Sequence, residues 1–351
     1  SKMARMAVRP DTKEKNKDAE LEEIDVAFLE DWGVSYSNIL QFLYVCYIIA
    51  MKQQKSVIEM EESQLIKAMQ EHCTELTEDL AKKCIIRLSL DKRENYLTPP
   101  VGLAGKDIFP WSYNRELSYL RRPVIRYQYD DGTVMCMFGF RSCIQAGIQL
   151  SDLLYSGRLR YVGRKIETLL GKFEAIKGAA FNDEVRSFLA KIPIMRVWEH
   201  DVTIKSGGYF AADKDYGDID VMAYDTSRDI LYLIECKNTN PAKNIKEMKT
   251  EMDEYLGRGD NPERDKKRAL VLKHLRRHRW VTEHINEVAK HIGVAVTPRV
   301  KSMMLTATVI PTSYLKREKI PMSILNYPEL KIKGVNLLDS CKEPDLSVLD
   351  I

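Results

Sequence analysis

Paired cysteines are missing from this chain. Its seven cysteines, Cys46, Cys73, Cys84, Cys136, Cys143, Cys236 and Cys341, form an odd, scattered set with no CxxC pair and no matched histidine spacing. That speaks against a disulfide framework and a structural zinc site, and for reduced core thiols. Also missing is any apolar run near the roughly 20 residues that a membrane helix needs. The longest, LQFLYVCYIIAM from Leu40 to Met51, contains Gln41 and reads as a buried core helix. The opening SKMARMAVRPDTKEKNKDAE has no apolar stretch after its basic residues, so no secretory signal is expected. These absences lead to the expectation of a cytoplasmic protein with no membrane partner. There is no GxxxxGK[ST] loop and no GxGxxG fingerprint, which argues against a nucleotide motor or a dinucleotide enzyme. Charge of one sign is scarce too. With 54 Lys+Arg against 51 Asp+Glu the net charge is only +3, so local patches must decide whether a polyanion binds.

What is present is enough apolar material, 44% of 351 residues, for a sizeable core in two or three domains. Residues 1–22 are charged and poor in aromatics and are expected to form a mobile tail. From residue 23 to about 165 the pattern predicts helices to about Leu29, over Ser37 to Gln53, Glu61 to His72, and Glu78 to Leu88, the last capped by Thr77. The stretch RLSLDKRENYLT after two short helices has the cadence of a winged helix. A small helical bundle used for packing or dimerisation is the plainer reading, because Lys82, Lys83 and Arg87 make an ordinary solvated face. The run PPVGLAGKDIFPWSYNRELSYLRRP ends in Arg121 and Arg122, which read either as a phosphate contact or as plain surface. RYQYDDGTVMCMFGF then predicts a hairpin turning at Asp131 and Gly132, with a helix from about Ser142 to Tyr155. No repeat or low-complexity tract occurs.

The second half, residues 166–320, reads as helix, three strands, helices, strand, with 321–351 as a C-terminal extension. Gly178 to Lys191 is amphipathic, with Phe181, Val185, Phe188 and Leu189 on one face. IMRVWEHDVTI, GDIDVMAY and DILYLIECK are strand-like, Ile245 to Leu256 is helical, and Asn261 with Pro262 restarts a helix. SMMLTATVI, Ser302 to Ile310, is a further strand.

The chemistry concentrates in GDIDVMAYDTSRDILYLIECKN. Residues two apart in a strand share a face, so Asp218 pairs with Asp220, and Glu235 with Lys237. An ionised Glu inside a sheet costs several kcal/mol unless compensated. Either these charges sit at a solvated edge or they surround an ion. If the strands pair antiparallel about TSRD, Asp220 comes nearly opposite Glu235. Two close carboxylates repel, and a hard divalent cation removes that repulsion. Asp220, Glu235 and the backbone carbonyl of Cys236 suit Mg²⁺ or Mn²⁺, and Lys237 would lie beside the metal-bound water.

The run GDIDVMAYD followed by LYLIECK resembles the D…(D/E)XK core of the PD-(D/E)XK, or restriction-endonuclease-like, nuclease superfamily. The resemblance implies an α/β fold with an αβββαβ core and a central mixed sheet, over about residues 170–315. It implies Asp220 and Glu235 as metal ligands, Lys237 as the catalytic lysine, Asp218 as an auxiliary acid, and a further acid on the first helix. Asn182 stands where that acid is expected, and Glu184 is taken instead as the helix acid. The implied activity is hydrolysis of nucleic acid, DNA in preference to RNA, in restriction, repair or defence against mobile elements. A homo-oligomer or a larger complex fits the same resemblance, and so does a degenerate member that only binds.

Cations for a phosphate backbone are sought on two helices: Lys246 and Lys249, and Lys273, Arg276 and Arg277 in KKRALVLKHLRRHR, which also holds Lys266 and Lys267. A solvated helix face is the plainer reading of Lys246 and Lys249, whereas for the basic run contact with a nucleic acid is favoured over a solvated face, because the metal site implies a polyanion. His274 and His278, four apart, lack a third metal-binding partner.

Overall fold

Apolar spacing and local caps set the helices of the first unit. In a computed structural model that describes residues 14–109, 115–160, 162–239, 241–242, 245–258, 265, 268–315 and 318–350, the chain divides into Ser1–Glu174 and Ala175–Ile351. The helix restart at Asn261 and Pro262, the cations Lys266 and Lys267, and residues 1–13 of the expected tail lie outside the described residues. The rest of that tail is not a tail: α1 runs Glu14–Trp32 and buries Leu21. Next come α2 (Tyr36–Gln53), β1 (Val57–Glu61), α3 (Glu62–His72), α4 (Glu78–Leu88), β2 (Ser89–Asp91), β3 (Val124–Gln128), β4 (Val134–Gly139) and α5 (Phe140–Tyr155). Ser35 opens α2 in a reciprocal capping box with Asn38, and the Leu80 N–H donates to Thr77 Oγ1 at 3.4 Å to open α4.

The sheet order is β1-β4-β3-β2, closed over a core that includes Phe28, Tyr36, Phe42, Ile58 and Phe138. VIEME, which the sequence hides among polar residues, forms an edge strand against β4. The hairpin turn is longer than an Asp-Gly pair, since Gln128 faces Val134 and the loop occupies residues 129–133 with Gly132 at φ 87°.

A single helix, α6 (Arg164–Leu189), carries the chain from the first unit into the second. The second unit continues with β5 (Met195–Val197), β6 (Val202–Ile204), β7 (Gly217–Ile219), β8 (Val221–Asp225), β9 (Ile230–Lys237), α7 (Ile245–Leu256), α8 (Leu270–Glu283), α9 (Ile285–Ile292) and β10 (Arg299–Thr306). It closes with α10 (Thr312–Leu315), β11 (Ser323–Asn326), α11 (Tyr327–Lys333) and α12 (Val335–Asp339). Five strands make a mixed sheet in the order β11-β10-β9-β8-β5, with β9, β10 and β11 parallel and β8 antiparallel to both neighbours. The stretch 321–351 is therefore no appendage: β11 completes the sheet, and Tyr327, Leu330 and Leu338 join its core.

Both faces of the sheet are covered, which explains its nearly unbroken apolar strands. Val221, Ala223, Tyr232 and Ile234 pack with Phe181, Val185 and Leu189 of α6, while Met222, Tyr224, Leu231 and Leu233 pack with Trp280 and Val281 of α8. Asp225 pins the β8–β9 turn, its Oδ1 accepting from the backbone N–H groups of Ser227 at 2.9 Å and Arg228 at 3.1 Å. A fixed turn fixes the register and so decides which residues meet at the far end. Among the described residues no single helix is long and apolar enough to cross a membrane.

Candidate functional site

The register pairs Val221 with Ile234, so the next step along the ladder brings Asp220 to Glu235. The expected single strand from Gly217 is in fact two. The chain bends at Asp220, leaving β7 in a two-stranded ribbon with β6 and β8 in the main sheet. Asp218 is consequently exposed on the ribbon opposite Thr203, one sheet away from Asp220, which corrects its expected place on the same strand face.

Freed from the ladder, the Asp220 carboxylate takes over a backbone role. Its Oδ2 accepts the Cys236 N–H at 2.8 Å. Lys237 Nζ lies 2.7 Å from Glu235 Oε1 and 3.7 Å from Asp220 Oδ2, so the two acids and the amine converge. The Lys237 carbonyl accepts from Ala307 N–H of the β10 side at 3.0 Å. Backbone groups alternate along a strand, so those of Cys236 face β8 and Asp220.

Two side chains that the sequence reading did not connect to this cluster complete it. Arg277 of α8 lies 2.5 Å from Glu235 Oε2 and donates through Nε to the Tyr216 carbonyl at 3.0 Å. His274, one helical turn earlier, donates through Nε2 to the Leu233 carbonyl at 3.1 Å, which leaves its Nδ1 facing Glu235 Oε2 at 3.6 Å without a hydrogen-bond partner. Gly217 makes room for Arg277. Its φ is +86°, and a Cβ there would meet the Arg277 guanidinium at 2.9 Å.

The two carboxylates respond oppositely to this setting. Burial, then repulsion by Glu235, pushes Asp220 up to about 6. Burial also works to raise Glu235, yet His274, Lys237 and Arg277 together outweigh it and hold Glu235 well below the usual carboxylate range.

The remaining expectations fare differently. Glu184 points away: it is exposed and its nearest ionic partner is Lys331 at 3.8 Å. The helix face that reaches the site belongs to Arg186, which donates to the Asp220 carbonyl and pairs with Asp183 and Asp201. The basic α8 is no solvated face. His274 and His278 are buried, His278 bonding Ser302 Oγ at 2.8 Å, and Arg279 donates to the Leu346 carbonyl and pairs with Asp350. Arg277 therefore braces Glu235 rather than meeting a phosphate at the surface. Arg276 and Lys273 are partly buried, and burial, then Arg277, lowers the Arg276 pKa. Lys246 and Lys249 on α7 are exposed as expected.

The charge pattern allowed discovery of the acids and the lysine, because parity and turn spacing are local. Arg277 lies 42 residues from Glu235, and only its shared helix face with His274, three residues apart, hints at a common target.

Whether an ion fits can be asked of the side chains. Glu235 has both oxygens engaged by cationic groups, and among the described residues no three His, Cys, Asp or Glu side chains gather closely enough to hold a metal. In favour stand the unpartnered His274 Nδ1 beside a carboxylate, a place where added positive charge is stabilised, and an Asp220 raised by burial and then by repulsion from Glu235, both of which a bound cation offsets.

No curated protein and no solved structure matches this chain. A family model described as anti-phage protein Upx-like matches residues 4–323. Because that match spans nearly all of both units and not just the sheet with its acids, the chain belongs to the Upx-like anti-phage protein family.

Proposed function

We propose that this family member is a metal-dependent nuclease of the PD-(D/E)XK type, hydrolysing phosphodiester bonds of invading nucleic acid, DNA in preference to RNA. One observation carries the reading: Asp220, Glu235 and Lys237 meet at the end of an antiparallel strand pair, with Lys237 Nζ within 3.7 Å of both carboxylates. The element order adds support. From α6 the chain runs through the sheet strands β5, β8 and β9, with the β6–β7 ribbon inserted after β5, then the helices α7, α8 and α9, then strand β10.

Asp220 Oδ1, Glu235 and the Cys236 carbonyl are the groups that would hold Mg²⁺ or Mn²⁺. The ion, once bound, supplies Lewis-acid charge toward a phosphate oxygen. Lys237 orients the attacking water and offsets charge developing on the phosphoryl oxygens. Arg277 and His274 hold the Glu235 side chain in one position from behind. Two acids are already balanced by Lys237 and Arg277, so a divalent cation leaves the site net positive, the sign that attracts a phosphodiester. Exposed Lys246 and Lys249 extend that field along α7.

Incubating the full chain with linear, circular, single-stranded and RNA substrates in Mn²⁺ tests this. Cleavage is expected to stop in EDTA and to fall about 10²–10³-fold in Lys237→Ala. Full activity of an Asp220/Glu235/Lys237 triple Ala variant removes the assignment.

A second reading has its own observation. Arg277 already occupies Glu235, as in a site that has lost its metal and serves for binding. Under that reading the pure chain binds nucleic acid equally well with Mn²⁺ or EDTA and cleaves none of the panel.

A further inference from the structure

The first unit holds a buried carboxylate of the opposite character. Glu116 is 5% exposed and meets three guanidinium groups: Arg121 on Oε2, with Arg122 at 3.2 Å and Arg87 at 3.5 Å from Oε1. One negative charge faces three positive ones. The imbalance registers on Arg87, which is lowered to about 10 by burial and, against the pull of Glu116, by its neighbours Arg122 and Arg121.

A cleft of ≈ 490 Å³ opens beside this cluster, walled by Arg87, Arg93, Arg122 and Ser89, with the apolar Val101 and Leu103. Three buried donor atoms on that wall meet no acceptor of the protein: Arg122 Nε, one terminal nitrogen of Arg93, and Ser89 Oγ. Buried donors are almost always paired, so three together on a cationic wall call for an acceptor from outside the chain. The acids at the cleft are Glu116 and Asp91, and Asp91 lies 3.5 Å from Arg126. Three arginines, Arg87, Arg93 and Arg122, line the cleft with these two acids, so its wall is net positive.

We propose that this cleft binds a phosphate monoester of nucleotide size. At neutral pH a monoester carries about −1.5 to −2 charges and three acceptor oxygens, one for each of the three unpartnered donors on this cationic wall, whereas a backbone diester carries only one charge. The volume falls in the range of small-molecule sites, and Val101 and Leu103 offer apolar contact to a sugar or base. A free mononucleotide and the 5′-phosphorylated end of a strand present this same group. This site stands apart from the nuclease reading, because binding here requires neither metal nor hydrolysis.

Calorimetry on the full chain in EDTA, using mononucleotides, their nucleosides, and oligonucleotides with 5′-phosphate or 5′-hydroxyl ends, separates the sources. Phosphorylated probes are expected to bind at least about 100-fold tighter than their unphosphorylated partners. Preference among the phosphorylated probes identifies the source. Arg93→Gln removes a donor that makes none of the ion pairs on Glu116, so its fold is retained while affinity drops about tenfold. Arg122→Lys keeps the charge but loses Nε, and weakens binding similarly. No heat from any phosphorylated probe at millimolar concentration, equal affinity for the unphosphorylated ones, or an unchanged affinity in Arg93→Gln overturns the proposal.

Discussion

Glu235 and Glu116 are both buried carboxylates ringed by cations, yet their surroundings differ in what remains unsatisfied. Lys237 and Arg277 both crowd onto Glu235, and the local shortfall of positive charge falls on the second acid, Asp220, which has Lys237 Nζ only at 3.7 Å. Glu116 meets three arginines, and beside it Arg122 Nε and an Arg93 nitrogen meet no acceptor, so the shortfall is of negative charge. The lesson is that a buried ion pair is informative through its remainder. What is left over after the protein pairs its own groups indicates the sign of what is brought in from outside.

The largest effects come from removing either carboxylate. Glu235→Ala strands Lys237, Arg277 and the field around His274, and Glu116→Ala strands three guanidinium groups. Each is expected to cost about 3–5 kcal/mol in denaturant unfolding. At Glu235 the loss of repulsion with Asp220 does not offset this, because Arg277 and Lys237 lose their partner. A Glu235→Ala variant as stable as the parent would break the comparison, since it would mean that the arginine is not held by the acid.

Asp220 differs in sign. An acid raised to about 6 keeps its proton in the folded chain over a window where the unfolded chain, near 3.9, has lost it. Stability of the metal-free protein therefore falls as pH rises from about 4 to 6, by up to roughly 3 kcal/mol from this group. Asp220→Asn is expected to flatten that part of the curve in EDTA. An unchanged slope would show that Asp220 is not the group in deficit.

Gly217→Ala probes the bracing of Glu235 from the other side. A left-handed backbone and the loss of space for Arg277 are expected to cost about 1–2 kcal/mol and to slow any cleavage with it. Glu184→Gln should give the smallest change, within about twofold in cleavage, because an exposed side chain beside Lys331 touches nothing at the site.

These contrasts also mark what could be read from the chain. Asp220, Glu235 and Lys237 were legible because strand parity and a four-residue turn are local rules, and the observed register continues the pairing toward Asp220 and Glu235. The helices of the first unit were legible from caps such as Thr77. The edge strand β1 was not, because Glu59 and Glu61 make a half-exposed strand look like the start of α3. The bend at Asp220 was hidden because GDIDVMAYD alternates without interruption, and only tertiary packing decides where the strand changes sheets. Arg277 looked like surface charge in a basic run; its partner lies on another element, and no periodicity reports that. The arginines on Glu116 were equally mute, since Arg87 joins Arg121 and Arg122 only in three dimensions.

The most direct measurement is titration of Mn²⁺ into the full chain and into its Asp220→Asn and Lys237→Ala variants. One carboxylate-dependent site is expected in the parent, lost in Asp220→Asn and retained in Lys237→Ala. Absence of binding in the parent, or the same heat in Asp220→Asn, would contradict the claim that this pair of acids is built around a divalent cation.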